Sequence, residues 1–124
     1  MSHFVGEHAF ALGHQLGAQG MYTSWFMMNP RFFLDYYQMC LAGRYTEAVA
    51  LALRMARWVD VAVVPLIQKG YMDPTLDKAF VEMAGWLPGN RRTRKPHQPM
   101  TDADFNQLKR LTAETMPEFL NYRS

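Results

Sequence analysis

The stretch from His3 to Pro30 reads HFVGEHAFALGHQLGAQGMYTSWFMMNP, and it determines the architecture that we predict for the whole chain. Phe4-Val5 predicts a short strand, and the apolar spacing that follows predicts a helix that stops at Gly17. Gly20 to Trp25 is rich in residues that favour strands. A strand, a helix and a strand joined by short connections form a βαβ unit, whose strands run parallel with a right-handed crossover.

The rest of the chain predicts helices. Gly43 and Gly85 are expected to end two of them, because glycine is the residue favoured just past a helix C-terminus. Four cap signals predict where helices begin, since an Asn, Thr or Asp side chain or an early proline suits a helix start. They are Asn29-Pro30, Thr46 before Glu47, Asp73-Pro74, and Thr101 with Asp104.

One predicted helix is unusually apolar. From Ala48 to Val64 it is apolar on nearly every side, and Pro65 is expected to kink or interrupt it. A helix of this kind is buried or lies at an interface. The loop Trp86 to Met100 precedes a last helix that carries apolar residues at three- to four-residue spacing from Phe105 to Tyr122. We expect two regions, a βα region at 1–43 and a helical region at 44–124.

Composition excludes several classes of protein. The 124 residues suggest one domain, and an apolar fraction of 49% with 14% aromatic residues argues against disorder. The formal net charge of +2 is too small to indicate a nucleic-acid partner. The apolar run Val61 to Ile67 is far shorter than the ~18 residues that a membrane span needs. The single Cys40 and the absence of a signal-peptide pattern favour a cytoplasmic protein.

The chemically active residue types leave several interpretations. Glu7-His8 is either an acid/base pair or a helix start in which Glu7 favours the helix N-terminus, and we favour the second. His8, His14 and Cys40 lack the spacing of a metal site, and Cys40 is expected to be a buried structural thiol. The basic cluster of the loop could bind a phosphate or nucleic acid, but a solvated loop or an interface rim is favoured; its members are Arg91, Arg92, Arg94 and Lys95.

Several short motifs, in their order along the chain, resemble the dihydrodipicolinate synthase / N-acetylneuraminate lyase family. The resemblance covers essentially the whole chain and corresponds to the last two βα units of the family and the helices after them. The motifs are Gly6-Glu7-His8, Leu16-Gly17-Ala18-Gln19-Gly20, Pro30, LAGRYTEAVAL at Leu41 to Leu51, Lys78-Ala79 to Gly85, and Arg94 to Pro99.

This resemblance implies the last part of a (β/α)₈ barrel followed by three extra helices. Members of the family form a Schiff base between a strand lysine and pyruvate or another 2-keto acid, and then make or break a bond as aldolases, other lyases or dehydratases. The lysine and a helper tyrosine lie on earlier strands than those matched here. We therefore assign no catalytic residue, and none of the four lysines is expected to be the nucleophile: Lys69, Lys78, Lys95 and Lys109.

The resemblance also implies which residues line a pocket. Gly6 matches a glycine at the end of the seventh barrel strand, while Tyr22 and Thr23 match the end of the eighth strand, near the bound keto acid. Met27 stands where the family often has Asn, and Trp25 and Phe26 are bulkier than usual. These differences favour a relative that acts on a larger or more apolar 2-keto acid, such as an aromatic aldolase-hydratase or a sugar-acid dehydratase.

Two hypotheses from different classes follow. The first is the C-terminal portion of a Schiff-base lyase, aldolase or dehydratase, which is inactive by itself, needs no cofactor or metal and contributes to a homo-oligomer. The second is a small, mostly helical interaction module. In that module the apolar helix from Ala48 to Val64 would pack against a second copy.

Overall fold

The computed structural model describes residues 1–123, and the chain is mostly helical with two short strands. Strand β1 covers Phe4–Gly6 and strand β2 covers Gly20–Tyr22, with helix α1 at Phe10–Gln15 between them. The strands pair in parallel, as predicted, with Phe4 opposite Gly20 and Val5 opposite Met21. Gly17 adopts a positive φ of 101° after α1, so the expected glycine turn is present.

Five further helices follow the second strand. Three are α2 at Pro30–Leu41, α5 at Asp73–Ala84 and α6 at Asp102–Thr115. Between α2 and α5, helix α3 covers Tyr45–Trp58, a π-helical turn covers Val59–Val63, and α4 covers Val64–Gln68. Short 3₁₀ turns lie at Glu7–Ala9, Trp25–Met27 and Pro117–Leu120.

Two of the predicted caps are confirmed. The Asn29 side chain accepts a hydrogen bond from the Phe32 amide at 3.0 Å, and Pro30 is the first residue of α2. The Thr101 side chain accepts from the Asp104 amide at 3.2 Å. The C-terminal glycines also behave as predicted, because Gly43 and Gly85 have φ values of 74° and 75°.

Two other predicted caps are wrong. Helix α3 begins at Tyr45 with Arg44 as its N-cap, so Thr46 lies inside the helix and caps nothing. Helix α5 does begin at Asp73 with Pro74 in its first turn, as predicted, but its N-cap is Met72, so the Asp73 side chain lies in the first turn, where a negative charge is favourable.

Two element boundaries also differ from the prediction. Strand β2 stops at Tyr22 rather than Trp25, because Thr23 Oγ1 accepts a 3.0 Å hydrogen bond from the Trp25 amide and turns the chain into a 3₁₀ turn. Helix α6 ends at Thr115, since Pro117 cannot continue it. Phe119 is still buried, but it lies on the separate turn that follows.

The apolar helix region is buried within the chain itself. Its inward face is formed by Ala48, Ala52, Met55 and Trp58 of α3, and all four are buried. The inner face of this helix is covered by α1, α2 and α6 of the same chain, and packing of the helix against a second copy stays a prediction. The predicted interruption at Pro65 is confirmed, since the π-helical turn directly precedes α4.

One buried cluster joins the βα region to the helical region. At its centre the Trp58 ring lies 5.0 Å from the rings of both Trp25 and Phe119. The Trp58 indole N–H donates a 2.9 Å hydrogen bond to Thr112 Oγ1, which connects α3 to α6. Phe10 of α1 belongs to the same cluster, so residues 1–43 and 44–123 share one core.

Candidate functional site at the strand ends

The residues that we expected to line a pocket lie together at the C-terminal ends of the two strands. Gly6 is directly opposite Tyr22 in the parallel pairing, and Thr23 follows at once. In parallel α/β folds, ligands bind at this edge of the sheet because the loops after the strands converge there. Thr23 lines a cavity of about 400 Å³ beside β2, whereas Gly6 and Tyr22 are exposed, and the binding role of the three residues stays a prediction.

One face of the strand pair is uncovered at this edge. Val5 points to α1, where its side chain approaches Gly13 closely enough that a Cβ there would lie 3.0 Å away. Because side chains alternate along a strand, Gly6 and Tyr22 lie on the opposite face. A Cβ added to Gly6 would meet nothing within 4 Å, and the Tyr22 side chain is 80% exposed.

A carboxyl group is buried beside these strand ends. Glu7 lies in the first turn of the 3₁₀ helix after Gly6, and only 8% of it is exposed. Burial raises the pKa of the Glu7 carboxyl, although a hydrogen bond to its own backbone, a second to Thr23 and the nearby His8 oppose the rise. The Glu7 carbonyl accepts a 3.1 Å hydrogen bond from the buried Tyr36 hydroxyl.

Glu7 and His8 do not form a pair. Glu7 is buried, whereas His8 is exposed and its ring stacks on Trp25 with centroids 6.2 Å apart. Glu7 lies in the first turn of its 3₁₀ helix, as the helix-start interpretation predicts.

A second carboxyl group near the strand ends had no sequence signal. Asp77 of α5 lies near Ser24, just after Thr23, and burial raises the pKa of its carboxyl although Ser24 opposes the rise. It lines a cavity of about 390 Å³ together with Met27 and Lys78. Asp77 lies more than fifty residues from the strands, so only the packing of α5 on the Trp25–Met27 turn reveals it.

The four lysines are exposed, and none lies on a strand. Lys69 Nζ lies 2.5 Å from Asp104 Oδ1, and this hydrogen bond and charge raise the pKa of the lysine. A Schiff-base lysine needs the opposite shift, because only the neutral amine attacks a carbonyl. Lys78 Nζ donates to the Arg92 carbonyl. Lys78 lines the cavity beside Asp77, and that no lysine of this chain is the nucleophile stays a prediction.

The basic loop is partly structural. Arg91 lies 2.8 Å from Glu82 and 2.7 Å from Asp102, and its guanidinium is 4.1 Å from the centre of the Phe105 ring. It therefore connects α5, the loop and α6 rather than facing an external anion. The remaining cations of the cluster are exposed, as a solvated loop requires.

The other reactive side chains have structural partners. His14 Nδ1 lies 2.7 Å from the Tyr45 hydroxyl, which joins α1 to α3. Cys40 is fully buried, and burial raises the pKa of its thiol. Within residues 1–123, no group of three or more His, Cys, Asp or Glu side chains is placed to hold a metal ion. No helix of that same range is both long enough and apolar enough to cross a bilayer.

Comparison of the chain with protein-family models, with curated proteins and with solved structures finds no match. The class of protein is therefore described by its fold alone. It is a short parallel βαβ unit that shares one core with a helical region.

Proposed function

We propose that the chain forms the final section of a Schiff-base lyase, aldolase or dehydratase barrel and provides one wall of its pocket. Gly6, Tyr22 and Thr23 form that wall, and the helices from α3 onward hold it in place. The substrate class is pyruvate or a related 2-keto acid. Catalysis itself requires a lysine and a tyrosine from the strands that would complete the barrel.

One observation carries this proposal, namely the geometry of the two strands. They are parallel, α1 covers the face that bears Val5, and the face that bears Gly6 and Tyr22 is uncovered. A (β/α)₈ barrel needs this arrangement, because its helices lie outside and alternate strand residues point into the barrel. Two strands alone cannot enclose that interior.

The substrate argument depends on the loop after β2. Trp25 fills the core against Trp58 and Phe119, so its bulk has a structural explanation and does not constrain a ligand. Phe26 is exposed, and Met27 borders the cavity beside Asp77. These two side chains favour a larger or more apolar 2-keto acid than pyruvate.

The proposal is tested by combining the chain with the remaining βα units of a barrel. The chain is co-expressed with the first six βα units of a Schiff-base lyase of the dihydrodipicolinate synthase / N-acetylneuraminate lyase family. The purified mixture is treated with pyruvate and borohydride, and adducts are located by mass spectrometry. We expect a complex with an adduct on the lysine of the six-unit fragment, and no adduct on the chain alone.

Two substitutions test where the contact lies. Tyr22→Asp places a charge on the uncovered sheet face and should abolish the complex. Met72→Asp is the matched control, because Met72 is an apolar residue that is 61% exposed and lies away from the strands. An adduct on any lysine of the isolated chain would contradict the proposed inactivity. Equal effects of the two substitutions, or no complex with such fragments, would contradict the barrel proposal.

A further inference from the structure

The outer side of α3, the π-helical turn and α4 carries a continuous stripe of side chains. These side chains recur at alternating intervals of three and four residues, which is the heptad spacing of helices that pack against another helix. Residues at this spacing share one side of a helix. We call them the outer stripe, and they are Ala50, Leu53, Arg57, Asp60, Val64 and Ile67.

The outer stripe faces away from the core of its own chain. The buried residues of α3 lie on the other side of the helix. Leu53 is 66% exposed and Ile67 is 51% exposed. The other members of the stripe are exposed as well, except for Val64, which is half-buried. Exposed apolar side chains therefore lie on both halves of the stripe, and contiguous apolar surface of this kind marks an interaction site.

The centre of the outer stripe carries one positive and one negative side chain. Arg57 and Asp60 are both exposed, and neither takes part in an ion pair within residues 1–123. The members of the stripe before and after these two charges are apolar. Read from its other end, the stripe therefore has the same order of apolar and charged positions, but with the two charges exchanged.

We propose that the outer stripe packs against the outer stripe of a second copy of this chain, with the two helices antiparallel around a two-fold axis. An axis that passes between Arg57 and Asp60 sets each arginine opposite the aspartate of the other copy. A two-fold interface repeats every contact, so two ion pairs form at its centre. The two charges that have no partner within the chain are thereby both neutralised, and this complementarity favours a second copy as the partner.

The apolar members of the stripe match in the same register. Leu53 lies opposite Val64 of the other copy, and Ala50 lies opposite Ile67. A parallel dimer would instead place Arg57 against Arg57, which is unfavourable because like charges repel. The contact uses no residue of the strand ends. The proposal therefore goes beyond the barrel function, does not depend on it and is compatible with it.

Sedimentation equilibrium of the purified chain tests this dimer. We expect the wild type to be mostly dimeric at about 100 µM, with a dissociation constant of about 10 µM, because one helix pair buries less area than an interface of standard size. Arg57→Asp should raise the dissociation constant about 100-fold, because two pairs of carboxylates then face each other. Asp60→Arg should weaken the dimer to the same extent, because it sets guanidinium groups against one another.

Arg110→Asp is the matched control. Arg110 is an exposed arginine of α6 that lies outside the outer stripe, where its ion pair with Glu114 is a contact within one helix. We expect this variant to dimerise like the wild type. Circular dichroism verifies that all variants fold.

Mixing the two single variants gives a result that a folding defect cannot imitate. Arg57→Asp leaves two acidic side chains at the centre of the stripe, and Asp60→Arg leaves two basic ones. A heterodimer of the two therefore has two pairs of opposite charge, whereas each homodimer has two pairs of like charge. We expect a one-to-one mixture to associate with a dissociation constant within about threefold of the wild-type value.

Three results would overturn the proposal. The first is a wild type that stays monomeric at the concentration given above. The second is a dimer that Arg57→Asp weakens no more than Arg110→Asp does. The third is a mixture of Arg57→Asp and Asp60→Arg that associates no more strongly than either variant alone.

Discussion

The hydroxyl of Tyr36 lies between two backbone groups of the βα region: it donates to the Glu7 carbonyl at 3.1 Å and accepts from the Ala11 amide at 3.0 Å. Tyr36 is fully buried, so water cannot replace either bond. This single side chain of α2 therefore fixes the turn that carries Glu7 next to the strand ends.

Tyr36→Phe should destabilise the chain, because it removes two buried hydrogen bonds: the one that the hydroxyl accepts from the Ala11 amide and the one that it donates to the Glu7 carbonyl, which keeps its bond from the Phe10 amide. We expect a loss of about 1–3 kcal/mol in the free energy of unfolding at pH 7, measured by urea denaturation. Tyr37→Phe is the matched control, since the Tyr37 hydroxyl makes only a 3.4 Å contact to the Gln19 carbonyl at the surface. Equal losses in the two variants would contradict this role of Tyr36.

The Tyr36 hydroxyl also predicts that the stability of the fold decreases at alkaline pH. Burial raises the pKa of Tyr36 from 10.0 to about 12. Between these values the unfolded chain loses this proton while the folded chain keeps it, so stability should fall as pH rises from 10 to about 12. In Tyr36→Phe the slope of unfolding free energy against pH should be smaller across this window. An unchanged slope would show that other groups cause the alkaline loss.

The bond from Trp58 to Thr112 gives a second test of a buried polar contact. Thr112 Oγ1 accepts from the indole N–H at 2.9 Å and donates to the Leu108 carbonyl at 2.7 Å. Thr112→Val keeps the shape but leaves the indole unpaired, so we expect a loss of about 1–3 kcal/mol in chemical denaturation.

Thr112→Ser retains the hydroxyl and should lose clearly less stability than Thr112→Val. Thr115→Val is a further control, because the Thr115 hydroxyl donates only to the Leu111 carbonyl of its own helix. Equal losses for Thr112→Ser and Thr112→Val would contradict the prediction, because serine keeps the hydroxyl and lacks only the methyl group.

The ion pair of Arg54 and Glu118 predicts that the stability of the fold decreases at acidic pH. Its two N–O distances are 2.7 and 2.9 Å, and it connects α3 to the turn at Pro117–Leu120. Burial alone would raise the pKa of Glu118, but the hydrogen bond and charge of Arg54 hold it below 4.5. The pair therefore stabilises the fold above pH 4.5, and its contribution is lost as pH falls through the lower folded pKa.

Glu118→Gln should reduce the acid-induced loss of stability by about 1 kcal/mol or less, because both side chains are partly exposed. Thermal melts between pH 2 and pH 7 measure the effect. Glu114→Gln is the control, since its pair with Arg110 is an exposed contact within one helix. A Glu118 variant with the same acid slope as the wild type would contradict the prediction.

How much of the fold and of the candidate site could be predicted from the sequence depends on how far apart the interacting residues lie along the chain. The Asn29 and Thr101 caps follow from patterns of a few residues, and the parallel strands follow from the strand–helix–strand pattern of residues 4–22; all are present. The end of β2 at Tyr22 was missed, because the Thr23 hydroxyl could equally have continued the strand or turned it. Asp77 was missed because its neighbour Ser24 lies fifty-three positions away.

The burial of the apolar helix shows a related limit of sequence reasoning. Its pattern indicates burial but does not identify the covering elements, which for the inner face are α1, α2 and α6 of the same chain. A further uncovered apolar surface lies beside β2, where Met21 and Leu34 belong to different elements and share no periodicity. Only the assembled fold brings them together.

Glu7→Gln provides the most direct test of the buried carboxyl at the strand ends. Because the folded pKa of Glu7 is raised above 4.5, its charged form is disfavoured in the folded chain. Below pH 4.5 the residue is protonated whether the chain is folded or not, and the penalty appears as pH rises through the folded pKa. The glutamine variant should therefore gain stability relative to wild type at pH 7 and show no such gain at pH 3.

Urea denaturation of both proteins at the two pH values measures this difference. Glu82→Gln is the control, because Glu82 is a half-buried carboxylate that pairs with Arg91 and lies away from the strands. We expect that control to lose stability at pH 7, the opposite sign to Glu7→Gln. A loss for Glu7→Gln at pH 7 would mean that the hydrogen bonds to Thr23 and to the backbone outweigh burial, and that the carboxylate is held charged at the strand ends.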